Sequence, residues 1–191
     1  DSPNAVAAGL LVEESRTNIL LQSMNFSSNW FNNTTTITAN AATAPDGTST
    51  ANKAVPSVAN AVHDIYINPG LTATNAVYTW SVYAKASGYN FATLIAASGT
   101  GSTTRYSIVV DLTNGNVTAT GTQGTPTSTS YAVQNVGNGW YRLFVTMTAT
   151  NAASSTYLVC GASSTGTPTL SATLDPTFAG DGTSGGLFWG A

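Results

Sequence analysis

Apolar and polar residues alternate along most of this chain, in short runs punctuated by Gly, Pro and Asn. In "AVYTWSVYAKASG", Tyr78, Trp80, Val82 and Ala84 share one parity, and Thr79, Ser81, Tyr83 and Lys85 the other. Side chains of an extended chain point to opposite faces in turn, so this period predicts strands with one buried face. "WYRLFVTMTAT" repeats the pattern: Tyr141, Leu143, Val145 and Met147 form the expected core face, and Trp140, Arg142, Phe144, Thr146 and Thr148 the other. In "NAVHDIYINPG", His63, Ile65 and Ile67 oppose Asp64 and Tyr66.

Further strand-like runs are "GLLVEESRTNILLQ", "NWFNNTTTITAN", "FATLIAAS", "YAVQNV", "STYLVCGASS" and "GGLFWGA". "TAPDGTST" reads as a turn. Asn114-Gly115 and Asn138-Gly139 read as hairpin turns of type I′, which need two residues with positive φ. Only "EESRTNILLQSM" approaches a helical period, and it predicts at most a short turn. About nine or ten strands at this spacing, with no crossover helices, predict an antiparallel sandwich. The 191 residues fit a single domain, 1–191, with no internal repeat. The start "DSPNAVAAG" has no signal-peptide pattern and "GGLFWGA" stops inside a strand-like run, so a piece of a longer chain is expected.

Composition sharpens this picture. Charged residues make up 7% and hydrophobic ones 42%. Polarity therefore comes from Thr, Ser, Asn and Gly, and β-branched Thr favours sheets over helices. Four Trp, eight Tyr and six Phe provide a core and exclude a disordered chain. Five scattered basic residues and a pI near 4.7 argue against nucleic acid, which needs a basic patch. No apolar run reaches the length of a membrane span.

Little in the chain suggests catalysis. Cys160 is the only cysteine and reads as a small buried hydrophobe. His63, the only histidine, reads as a core or sheet residue. Glu13 and Glu14 are adjacent, so on a strand they diverge, whereas a glycosidase needs two converging carboxyls. Asp46 and Asp181 sit in Asp-Gly turns. The expectation is a non-enzymatic protein requiring no cofactor.

The segments "GLLVEESRTNILLQSMNFSSNW", "APDGTSTANKAV", "YTWSVYAKAS", "VVDLTNGNV", "VGNGWYRLFVTMTAT" and "GDGTSGGLFWGA" together resemble a domain of bacteriophage tail-fibre, head-fibre and spike proteins. That domain is similar to jelly-roll carbohydrate-binding modules. The resemblance implies an all-β, two-sheet jelly roll on the virion surface, attached to other virion proteins and commonly trimeric. It implies adhesion to host-surface polysaccharide, with a structural domain lacking any ligand as the alternative and an accessory module of a polysaccharide-degrading enzyme as the third reading. It also implies a structural Ca²⁺ near the termini, for which Glu13, Glu14, Asn18, Asp175 and Asp181 offer oxygen ligands. The alternative is that these carboxylates are solvated or paired with Arg16, which is expected to lock the first strand to the last.

Sugar sites use aromatic faces together with amides and charges. Candidates lie on the polar sides of strands. Tyr83 and Lys85 oppose the Trp80 face, Tyr66 and Asp64 oppose Ile65 and Ile67, and Arg105 starts a strand. The Trp140, Arg142 and Phe144 face is too apolar for open solvent, so a loop, a neighbouring copy or a ligand is expected to cover it, with the loop or the copy favoured.

Overall fold

The computed structural model describes residues 18–20, 22–71, 75–150 and 156–191. Among these, the strands are β1 (Phe31–Asn33), β2 (Thr35–Ala42), β3 (Ala51–Pro56), β4 (Asn60–Val62), β5 (Asp64–Ile67), β6 (Ala76–Ser87) and β7 (Phe91–Ser98). They continue with β8 (Thr104–Asp111), β9 (Asn116–Gln123), β10 (Ser130–Gly137), β11 (Trp140–Ala149), β12 (Tyr157–Ser163), β13 (Thr177–Ala179) and β14 (Gly185–Trp189). One 3₁₀ turn, Thr100–Ser102, is the only helical element among the described residues.

Two six-stranded antiparallel sheets face each other, with orders β1-β5-β12-β7-β8-β9 and β10-β11-β6-β14-β3-β2. A two-stranded ribbon, β13-β4, lies apart from both. The inner eight strands define the topology. The chain runs β3, β5, β6, β7, β8, β11, β12, β14. The sheets it builds are β3-β14-β6-β11 and β5-β12-β7-β8, so the first strand of each sheet pairs with its last. That interleaving is the jelly roll, an arrangement that brings strands distant in sequence side by side.

The core faces follow the alternation. Trp80, Val82 and Ala84 from β6 meet Leu143, Val145 and Met147 from β11 in one cluster, with Leu94, Ile108, Leu158, Cys160 and Phe188. β7 is the exception to the period of two: every residue from Ala92 to Ser98 is buried. Its inner side meets the core and its outer side lies under the segment 164–176, so both parities must be small or apolar. Close backbone approach is visible at Gly161 on β12, where an added Cβ would stand 2.7 Å from the carbonyl oxygen of His63. A backbone atom fixed between β4 and β5 cannot easily give way. Gly161→Ala is expected to cost about 1–3 kcal/mol of unfolding free energy, measured by urea denaturation.

Three expectations change in detail. β3 is a strand that turn residues on both sides obscure in the sequence, the run "NAVHDIYINPG" breaks at His63 into β4 and β5, which belong to different sheets, and β13 is too short to show a period. The hairpin at Asn114-Gly115 is not type I′. Asp111 pairs with Asn116, leaving a four-residue loop in which only Gly115 has positive φ (80°). The Asp111 carboxylate accepts from Thr113 N at 2.8 Å and stabilises this longer turn. At the other hairpin, Asn138 (φ 53°) and Gly139 (φ 77°) are both left-handed and Gly137 pairs with Trp140, as a two-residue I′ turn requires. The opening run "GLLVEESRTNILLQ" falls largely outside the described residues; its described end, Asn18 to Leu20, is not a strand.

Candidate functional site

The register of β6 and β11 assembles the most distinctive surface of the molecule. Arg142 lies directly opposite Tyr83, and Phe144 opposite Ser81. These residues share the outer face of the sheet. The Arg142 guanidinium carbon sits 5.1 Å from the Tyr83 ring centroid and 4.8 Å from that of Phe144. A guanidinium held between two rings gains cation–π attraction, and its stem covers apolar surface. Trp189, opposite Tyr83 across β14, meets the Tyr83 ring edge-on at 5.3 Å and fixes it from the other side.

β14 stops at Trp189, its last pair being with Tyr83. Gly190 then turns the chain away at φ 58°, and Ala191 N donates to Ser23 O at 2.9 Å. Sheet order therefore ends beside the first half of β6, and a groove of about 910 Å³ opens there. Thr79, Ser81, Arg142 and Phe144 of the outer face line it. Asn18, Ile19, Leu20 and Ala191 contribute as well, and Trp80 and Leu158 of the core also reach it. The size is that of a small-ligand site. Arg142 carries the one charged side chain among the described residues lining it.

Arg142 is poorly matched by protein partners. Among the described residues its only hydrogen bond runs from Nη2 to Ser81 Oγ, at 3.3 Å. Its Nε is buried with no acceptor, and no carboxylate pairs with it among the described residues. Next to it, Thr79 and Thr146 hydroxyls bond each other at 2.9 Å.

The far end of the same face is closed. Trp140 is 2% exposed, packed in a second apolar cluster with Ala44, Ala51 and Leu187. The loop that follows β2 supplies Ala44 and is held by Asp46, which accepts from Thr48 N at 2.9 Å. A loop thus covers Trp140, while Arg142 and Phe144 face the groove.

The outer face of the other sheet is different. Here segment 164–176 crosses the strands, with Arg105 Nη1 donating to Thr173 O at 3.1 Å and Thr118 Oγ1 to Gly166 O at 2.7 Å. Beneath it, Asp64 and Asp175 come together and are 2% and 4% exposed. Arg105 Nη1 stands 3.9 Å from Asp175 Oδ2, and the Asn33 amide donates to both Asp64 oxygens at 3.0 and 3.2 Å. Burial, then the charge of Asp175, pushes the Asp64 carboxyl up to about 7; the Asn33 amide and Arg105 oppose this. Asp175 is also raised, by burial. Asp175 Oδ1 has no donor. A protonated Asp64 supplies one, so the pair holds a shared proton below neutral pH.

The five carbohydrate candidates therefore divide between opposite faces. Tyr83 backs the groove by holding Arg142. Lys85, on the same face, donates to Asn138 O at 2.7 Å and braces the hairpin turn. Asp64 and Arg105 are brought together, but under a loop. Tyr66, half-buried, stacks on Phe31 at 5.3 Å and meets Tyr157 edge-on at 5.7 Å. Of the calcium candidates, Glu13 and Glu14 lie outside the described residues. Asp181 is exposed and caps its own turn, accepting from Thr183 N and Ser184 N, which holds its carboxyl well below the usual range. Among the described residues no three His, Cys, Asp or Glu side chains converge on a metal position. His63 is buried, its Nδ1 2.8 Å from Thr34 O and its Nε2 2.8 Å from Phe178 O, so both nitrogens serve the fold. Cys160 is buried, and its thiol is pushed up by burial. No described helix is long and apolar enough to cross a membrane.

Arg142 and Phe144 entered the sequence reading only as part of a face that needs a cover, and Ser81 was not a candidate. The alternation in β11 places Arg142 and Phe144 on one face, but only the pairing register brings them against Tyr83 and Ser81. Neither a protein-family model nor a curated protein matches this chain.

Proposed function

We propose that this domain is a non-enzymatic adhesion module of a phage fibre or spike, binding host-surface glycan in the groove beside β6. The observation that carries this reading is the Tyr83–Arg142–Phe144 stack beside Ser81 and Thr79. It offers an aromatic face, hydroxyls and a cation in one open groove, the mixture that sugar recognition uses. The jelly-roll topology and the resemblance of the sequence to fibre domains support the same reading, as well as a trimer within a larger virion assembly. The one converging carboxyl pair among the described residues, Asp64 and Asp175, is sealed under a loop and does not line the groove, which weighs against a glycosidase.

The structural alternative also has an observation in its favour. Phe31 is 58% exposed on edge strand β1 and stacked on Tyr66, an apolar strip suited to contact with another virion surface. Glycan-array binding by the domain, with and without Ca²⁺, separates the two. Retention on polysaccharide spots is expected, and Phe144→Ala is expected to weaken it about tenfold through loss of one stacked face. Silence of the folded domain across the array would leave the structural reading in place of adhesion.

A further inference from the structure

The groove carries information about which class of glycan it takes. Its aromatic and hydroxyl groups suit any sugar, but Arg142 does not. A guanidinium is always charged and carries five donors. Here one of them bonds a serine hydroxyl at 3.3 Å, Nε is sequestered, and no carboxylate neutralises the charge among the described residues. The contrast within the chain is informative. Arg105, similarly placed on the outer face of the other sheet, bonds Ser102 O and Thr173 O and has Asp175 beside it.

The side chain is also held in place. The guanidinium carbon lies over the rings of both Tyr83 and Phe144, and Trp189 meets Tyr83 edge-on. A fork fixed in advance loses little entropy when it binds a planar anion. With Nε turned inward, the terminal Nη1 and Nη2 edge is the part left for a ligand. A carboxylate matches that edge with two parallel hydrogen bonds. The groove lining adds no acidic side chain that would repel it among the described residues.

We infer that the groove selects acidic glycan, with Arg142 receiving the carboxylate of a uronate or sialate residue while Phe144 and the Ser81 and Thr79 hydroxyls contact its ring. The inference rests on the adhesion reading of the same groove. It specifies the sugar by one chemical feature, a carboxylate within reach of the surrounding ring contacts.

The test uses fragments of polygalacturonate, alginate and polysialic acid, each beside its carboxyl-reduced counterpart, together with a panel of neutral glucans and mannans. Affinities for the 191-residue chain are measured by calorimetry. At least one acidic fragment is expected to bind about tenfold or more tightly than its reduced form, with the difference shrinking as salt is raised. Arg142→Gln is expected to abolish that difference. Arg142→Lys, which keeps the charge and loses the fork, is expected to restore only part of it. The comparison of acid with reduced sugar needs no variant, so a folding defect in Arg142→Gln does not remove the test. Binding of neutral glycans alone, equal affinity for acid and reduced forms, or an acid preference that survives Arg142→Gln overturns the inference while adhesion stands. Absence of binding to every probe overturns adhesion and this inference together.

Discussion

Phe188→Ala is expected to lower the unfolding free energy by about 3–5 kcal/mol, the upper range for a buried aromatic truncated to a methyl. Phe188 is fully buried on β14, the central strand that joins β6 to β3. Its surroundings have been thinned to receive the ring. It pairs across the sheet with Ala84 and with Asn52, and a Cβ on Gly186 would stand 3.0 Å from the ring and 3.5 Å from the Cβ of Ala162. Small residues have no side chain with which to refill a space, so the cavity would persist and its full cost be felt. Urea denaturation measures the effect, and Phe188→Leu, which leaves a smaller void, is expected to lose about half as much. A loss below about 1 kcal/mol for the alanine variant would show that β14 lies outside the cooperative core.

The second large effect is a dependence on pH. The Asp64 carboxyl has an ordinary unfolded value near 3.9 and is pushed up to about 7 in the folded protein, first by burial and then by Asp175. The folded state therefore holds a proton that the unfolded chain releases between those values. Its contribution is complete below about pH 4, declines as pH rises, and is gone above about pH 7. Asp64→Asn keeps an oxygen for the Asn33 amide and presents a permanent N–H₂ towards Asp175. The variant is expected to match the parent near pH 4 and to exceed it at pH 8 by about 2–4 kcal/mol, with a nearly flat stability profile. Chemical denaturation at a series of pH values checks this. A parent protein equally stable at pH 4 and pH 8 would contradict the shared-proton pair. Because Arg105 and Asp175 tie segment 164–176 to the sheet, hydrogen exchange in that segment is expected to accelerate first as the pH is raised.

These two residues also show how far the sequence could be read. The core position of Tyr141, Leu143, Val145 and Met147 followed from alternation, because a strand with one wet face must put apolar residues at every second place. The same rule placed Tyr83 and Lys85 outward on β6. It failed for Asp64. The parity was correct, but an outward face became an interior one when segment 164–176 folded over it. Nothing in "NAVHDIYINPG" encodes a cover that arrives more than a hundred residues later in the chain. β7 carried the converse signal: a continuous apolar run in a strand indicates two covered faces, and its missing alternation marked the side on which the loop would lie. Trp140 fits the same logic, an aromatic on an outward parity that a loop containing Ala44 encloses.

The sequence by itself determined what depends on neighbours in the chain: the strand periodicity, the Asn138-Gly139 turn, the inward sides of β5, β6 and β11, and an all-β class. Tertiary structure alone decided what depends on pairing between distant strands. The jelly-roll register set Arg142 against Tyr83, the early end of β14 opened the groove beside them, and the fold buried Asp64 with Asp175 while leaving Arg142 without a carboxylate among the described residues. Alternation specifies a face for each side chain. Only long-range packing specifies what meets that face, because in a jelly roll the partners of a strand come from distant parts of the chain.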